Sequence, residues 1–129
     1  MNFILYIKST EEQDFNYSNP FYDLLKKEIP NTDFFDLDNF SGQDLIDMAA
    51  KAIKAADKSS IIFDLEPKST TNKFLGLATQ LADEPERKKV FINGTDSIIS
   101  KMLFPLENFS YHNLPQQEIV EEIKRWFEE

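Results

Sequence analysis

The chain has 129 residues, a length that suits one domain, and 41% of them are hydrophobic, 12 being phenylalanine, so a real core forms and disorder is excluded. Only 3 glycines and 6 prolines argue against a loop-rich β-sandwich, and the absence of cysteine excludes disulfides, thiolate metal sites and cysteine nucleophiles. With 14 basic and 23 acidic side chains the net charge is -9, which disfavours nucleic-acid phosphates and anionic membrane surfaces as partners.

In chain order, Phe3-Ile4-Leu5-Tyr6-Ile7 is a continuous apolar run and reads as a strand buried on both faces. Lys8 to Ser18 is polar and loop-like. Asn19-Pro20 starts a helix, a cap residue followed by proline at the first helical position, with Phe21, Leu24, Leu25 and Ile29 at helical spacing and Pro30 as the stop. Asp33 to Leu37 is a short second strand. Ser41 and Asp44 resemble a capping box, and in the helix after it Leu45, Ala49, Ala52 and Ala56 form an inner stripe widened by Ile46, Met48 and Ile53. Ser60-Ile61-Ile62-Phe63 is a third strand, again apolar on both faces.

Thr70 or Thr71 caps a third helix whose inner face is Phe74, Leu77, Ala78 and Leu81, ended by Asp83-Glu84-Pro85. Lys89-Val90-Phe91-Ile92 is the fourth strand. Thr95 or Asp96 caps a fourth helix with Ile98, Ile99, Met102 and Leu103 inward and Pro105 at its end. Asn108 to His112 is an edge-strand candidate, alternating Phe109 and Tyr111 with polar neighbours. Pro115 opens a last helix with Ile119, Val120, Ile123, Trp126 and Phe127 inward.

Strand and helix thus alternate five times. Short links between alternating elements imply right-handed crossovers and a parallel sheet covered on both faces. The expected fold is a single α/β domain over residues 1–129, a three-layer sandwich around a five-stranded parallel sheet of order 2-1-3-4-5, flavodoxin-like, with the first and third strands central.

Ligands of such sheets bind beyond the C-terminal strand ends, where the strand order reverses. Three loops fall there: Lys8-Ser9-Thr10, then Asp64 to Thr71, then Asn93-Gly94-Thr95-Asp96-Ser97. The candidate ligand-binding residues are Lys8, Ser9, Asp64, Glu66, Ser69, Thr71, Asn93, Thr95 and Asp96. Two of the loops lead into helix N-termini with free N–H donors, although helix capping alone explains much of their composition. Asp64 and Glu66 suit a ribose diol or a cation, or are solvated strand ends; Lys8 faces an anion or pairs with one of them. His112, the single histidine, lacks a partnered nucleophile, and Glu86-Arg87-Lys88-Lys89 reads as a solvated turn at the opposite end.

The first loop has no glycine, so neither a dinucleotide-binding loop nor a P-loop is present, and carboxylates stand where a flavin phosphate would lie. No zinc-type spacing exists, and no catalytic residue, metal or cofactor is expected. A receiver-like regulatory module would be matched only at Asp64 and Thr95.

One stretch resembles the nucleoside 2-deoxyribosyltransferase-like family. Its residues are Ala56-Asp57 before Ser60-Ile61-Ile62-Phe63-Asp64, then Ser69-Thr70-Thr71, Gly76-Leu77-Ala78 and Lys88-Lys89-Val90-Phe91-Ile92, about a third of the chain. The resemblance implies a nucleoside pocket on a flavodoxin-like sheet. It places Phe74 at the glutamate nucleophile, puts Thr70 where the family turn has glycine, and lacks the proline between Lys89 and Val90. The implied function is therefore non-catalytic binding of a nucleoside- or nucleotide-like small molecule or of a protein. The alternatives are an enzyme of N-glycosidic cleavage or transfer using Asp64 and Glu66, and the receiver-like module.

No partner among nucleic acids or membranes is expected, and self-association into a homo-oligomer is left open. No apolar run approaches the length of a membrane span, and Met1 leads straight into a strand with no charged n-region, so a cytoplasmic location is expected unless a leader has been removed.

Overall fold

A computed structural model describes residues 1–11, 19–66, 69–94, 97–103 and 110–129. Strand β1 (Phe3–Ser9) pairs in parallel with β2 (Asp33–Asp38) on one side and with β3 (Ser59–Leu65) on the other. β3 pairs in parallel with β4 (Lys88–Asn93), giving the order β2-β1-β3-β4, and the three-residue β5 (Ser110–His112) lies parallel beside β4 from Val90–Ser110 to Ile92–His112. β1 and β3 are adjacent and central, as their two-sided apolar runs require: Ile4, Leu5, Ile7, Ile61 and Phe63 have no accessible surface.

Side chains alternate between the two faces of the sheet. Leu5, Ile7, Ile61, Phe63, Val90 and Ile92 point to one face, where α2 (Gln43–Ala55), α3 (Leu75–Gln80) and α4 (Ser97–Leu103) pack on them through Ile46, Ala49, Ile53, Leu77, Leu81 and Ile99. Ile4, Tyr6, Ile62 and Phe91 point to the other face and meet α1 (Pro20–Glu28) and α5 (Gln116–Glu128) through Phe21, Leu25, Ile119, Val120 and Ile123. Burying each such large apolar side chain stabilises the fold by about 1.5–3 kcal/mol, which is why two cores hold a sheet this size.

Helix starts follow local chemistry in some cases and not in others. Asn19 caps α1, its Oδ1 accepting from the Tyr22 N–H at 3.1 Å, with Pro20 opening the helix. Pro115 precedes α5, whose inner face is Ile119, Val120, Ile123 and Trp126, with Phe127 half-buried. The capping box expected at Ser41 does not form. Gly42 holds the cap position without a side-chain bond, because the Ser41 hydroxyl turns back to accept from the Asp38 N–H at 3.0 Å.

Thr71 makes no side-chain cap either; a 3-10 turn (Asn72–Phe74) leads into α3 instead, and Phe74, Leu77, Ala78 and Leu81 are buried. Two inner-face assignments are corrected. Leu45 and Met48 of α2 are 38% and 57% exposed, since that helix lies over the edge of the sheet and Ile46, Ala49 and Ile53 form its inner face. Ile98 is likewise exposed, while Ile99 and Leu103 carry the α4 contact. The proposed caps Thr95 and Asp96, and Pro105, Asn108 and Phe109, lie outside the described residues.

Candidate functional site

The register of the parallel strands sets Asp38, Lys8, Asp64 and Asn93 in one row across β2, β1, β3 and β4 at their C-terminal ends. Equal register in a parallel sheet means equal facing, so the row borders the layer of α1 and α5. Lys8 and Asp64 are direct neighbours in this row, yet no ion pair joins Lys8 to Asp64 or Glu66, contrary to the pairing expected from sequence. The Asp64 carboxylate instead accepts a hydrogen bond from the Tyr6 hydroxyl. Tyr6 sits one step diagonally from Asp64 on the same face and is buried among aromatics, its ring 5.7 Å from Phe21 and 6.0 Å from Tyr22. A fixed phenol reaches the carboxylate with less loss of rotamer freedom than a flexible lysine.

On the other face, the ends of β1 and β3 are tied together. The Ser9 hydroxyl donates to the Thr70 carbonyl at 3.0 Å, and the Glu66 N–H donates to the Ser9 carbonyl at 2.9 Å. Ser69 folds back, its hydroxyl donating to the Glu66 carbonyl at 2.6 Å. The centre of the network is Asn39, which sequence reading passed over as one more polar loop residue. Its amide accepts from the Thr10 N–H at 3.0 Å and donates to the Thr10 carbonyl at 2.8 Å and to the Thr70 hydroxyl at 3.2 Å, and the residue is buried. An asparagine beyond a strand end carries no signal that distinguishes this bridge from an ordinary turn.

Thr71 is buried and Glu66 exposed, so they do not share one concave surface. The loop after β4 closes against β3: a β-carbon on Gly94 would lie 2.1 Å from the Leu65 carbonyl oxygen, and its φ of 117° is one that other residues avoid. The Gly94 N–H donates to Asn113 Oδ1 at 3.0 Å, and Asn93 Nδ2 donates to the Leu114 carbonyl at 3.3 Å. Asn93 Oδ1 is buried without a hydrogen-bond partner among the described residues. Of the nine candidate residues, then, Lys8, Asp64 and Asn93 share one row, Ser9, Glu66 and Ser69 share a hydrogen-bonded turn, Thr71 is interior, and Thr95 and Asp96 lie outside the described residues. The side chain of His112, in β5, lies outside them too.

Two clefts lie at the N-terminal ends of the strands. One, about 260 Å³, is bordered by Lys54, Gln80, Asp83, Glu84, Arg87 and Lys88; the other, about 360 Å³, lies between α2 and the starts of β1 and β2. The basic cluster beside the first is not a solvated turn. Arg87 donates to the carbonyls of Ala56 and Asp57 beyond the end of α2 and pairs with Glu84 at 2.7 Å. Lys88 is buried and donates to the Asp83 carbonyl, and burial pushes its ammonium below the ordinary value. Lys89 pairs with Glu122 at 3.5 Å and lies over the Trp126 ring. Arg87 is thus tied to the chain after α2, Lys88 to the turn after α3 and Lys89 to α5, contacts that spacing alone does not reveal.

Among the described residues, no group of three or more His, Asp or Glu side chains is arranged to hold a metal ion, and no helix is long and apolar enough to cross a membrane. Comparison with protein-family models, with curated proteins and with solved structures finds no match for this chain.

Proposed function

We propose that this chain is a non-catalytic α/β binding domain, with a flavodoxin-like sheet of order 2-1-3-4-5 in which β5 counts as the fifth strand, and that its strand-end crevice takes a nucleoside- or nucleotide-like small molecule. The observation that carries the reading is how the polar groups at the C-terminal strand ends are occupied. Tyr6 holds Asp64, and Asn39 cross-links Thr10 and Thr70, so the site offers hydrogen-bonding surface and, among the described residues, no pair of free, converging carboxylates. Phe74, where the resemblance to deoxyribosyltransferases requires the nucleophilic glutamate, is fully buried in the core, which favours binding over bond cleavage. A cytoplasmic location and the absence of nucleic-acid partners go with this reading.

The test joins a thermal-shift screen against nucleosides, nucleotides and flavins with an assay for released base. A ligand that binds only the folded state at a hundredfold its Kd adds about 2.7 kcal/mol, a clear rise in melting temperature. Stabilisation by a nucleoside or nucleotide, lost in Asp64→Ala, with no base released, is the expected result. Base release that disappears in Asp64→Ala or Glu66→Ala overturns it in favour of the enzyme.

A further inference from the structure

The outer edge of β2 combines three features not used by the strand-end crevice. The first is unpaired backbone. The Asp33 N–H donates to the Asn2 carbonyl at 3.0 Å, which turns Asp33, and by alternation Phe35 and Leu37, toward β1. Phe34, Asp36 and Asp38 therefore present their N–H and C=O groups outward. The Ser41 hydroxyl takes the Asp38 N–H, in keeping with that direction, while nothing among the described residues bonds to the outward groups of Phe34 and Asp36. Such groups are a template for another strand.

The second feature is an apolar wall beside that edge. Leu45, Met48, Ala52 and Ala55 recur at helical spacing along one flank of α2. The opposite flank faces α3, where Gln80 Nε2 donates to the Ala50 carbonyl at 3.1 Å. The apolar flank faces β2 instead: Ala52 and Ala55 border the 360 Å³ cleft together with Asp33 and Phe34. Leu45 and Met48 continue it upward and are exposed, and Phe35 of β2 is only half-buried below them.

The third is charge. Among the described residues Asp33 and Asp36 of β2 and Asp44 of α2 are exposed and belong to no ion pair; Lys51 is the cation on the adjoining face of α2, and Lys26, over the Tyr22 ring that meets Phe34 edge-on, is the cation on the α1 side. Acidic side chains on an edge strand discourage self-pairing, but an apolar wall above them does not serve that end. A two-fold antiparallel pairing of β2 with a second copy through Phe34 and Asp36 sets the two Asp36 carboxylates opposite or diagonal to each other, in molecules each carrying -9. The charge therefore selects a cationic occupant over a second copy.

We propose that the groove between β2 and α2 binds an extended, cationic peptide segment of a partner protein by strand addition to β2. Its backbone pairs with Phe34 and Asp36. Alternate apolar side chains lie against Phe35, Leu45, Met48 and Ala52, and the intervening Lys or Arg side chains lie beside Asp36, with Asp33 at one end. The inference goes beyond the crevice reading and does not rest on it, so a nucleoside result of either sign leaves it standing.

The test titrates the full chain with a short alternating Lys-Val peptide and follows backbone amides by NMR and hydrogen exchange, with an alternating Glu-Val peptide as the control. The expected result is saturable binding of the cationic peptide alone, with the Phe34 and Asp36 amides becoming protected. Asp36→Lys and Met48→Lys each weaken it by about tenfold or more. Both positions are exposed, and an unchanged melting temperature confirms that the variants fold. Absence of binding, binding without protection of those two amides, or equal binding of the acidic peptide overturns the proposal. So does concentration-dependent dimerisation that protects the same amides without peptide, which would give the edge to a second copy.

Discussion

Tyr6 donates its hydroxyl hydrogen bond to the Asp64 carboxylate across the β1–β3 pair, so the two central strands are joined by a side-chain link at the end where a ligand of this fold would approach. The link makes Asp64 a structural residue as well as a candidate site residue. A hydrogen bond to a charged group contributes about 1.5–3 kcal/mol, and Tyr6→Phe should lower unfolding free energy by that amount in urea titration. Combined with Asp64→Ala in a double-mutant cycle, most of the loss should prove shared. Strict additivity of the two would show that the contact contributes nothing.

Gly94→Ala should be costly despite its small size. The new β-carbon would stand 2.1 Å from the Leu65 carbonyl oxygen at a φ of 117°, so the loop after β4 must move away from β3. Strain of this kind amounts to roughly 2–4 kcal/mol, to be read from denaturant midpoints. A loss below about 0.5 kcal/mol would mean that the loop relaxes freely.

Trp126 lies near the C-terminal end of α5, 9% exposed, with the Lys58 and Lys89 ammonium groups 5.4 Å and 5.8 Å from its ring centre. Trp126→Ala should cost about 3–5 kcal/mol, and Trp126→Phe clearly less, by chemical denaturation. A change under about 1 kcal/mol on Trp126→Ala would show that the end of α5 is frayed.

Lys88 gives a pH signature. Burial lowers its proton affinity in the folded chain from the ordinary value of 10.5, with Arg87 acting the same way and Glu84, Asp83 and Glu86 opposing. Between the folded value and 10.5 the unfolded chain holds more protons than the folded one, so stability from this group rises with pH across that window. The stability difference between the natural chain and Lys88→Met should therefore move in favour of the natural chain as pH rises from neutral towards 10.5. A pH-independent difference would show that the ammonium is as well solvated folded as unfolded.

The periodicity of the sequence marked out the elements and most of the face each helix turns inward. Unbroken apolar runs made β1 and β3 central, and the spacing of Ile119, Ile123 and Trp126 turned α5 onto the sheet, because burial on two faces or on one stripe leaves a pattern that needs no partner to be read. Partner choice at the polar ends left no such pattern. Asn39 is one more loop asparagine until β2 and the turn after β3 bring Thr10 and Thr70 to it, and Lys8 looks like the natural mate of Asp64 until Tyr6, packed by α1, reaches the carboxylate first. Exposure of Leu45 and Met48 escaped for the same reason. Their spacing is apolar and helical, but only the position of α2 over the sheet edge decides that nothing in the described fold covers them. Hydrogen bonds and edges are settled by distances between segments far apart in the chain, and those distances exist only once the sheet has formed.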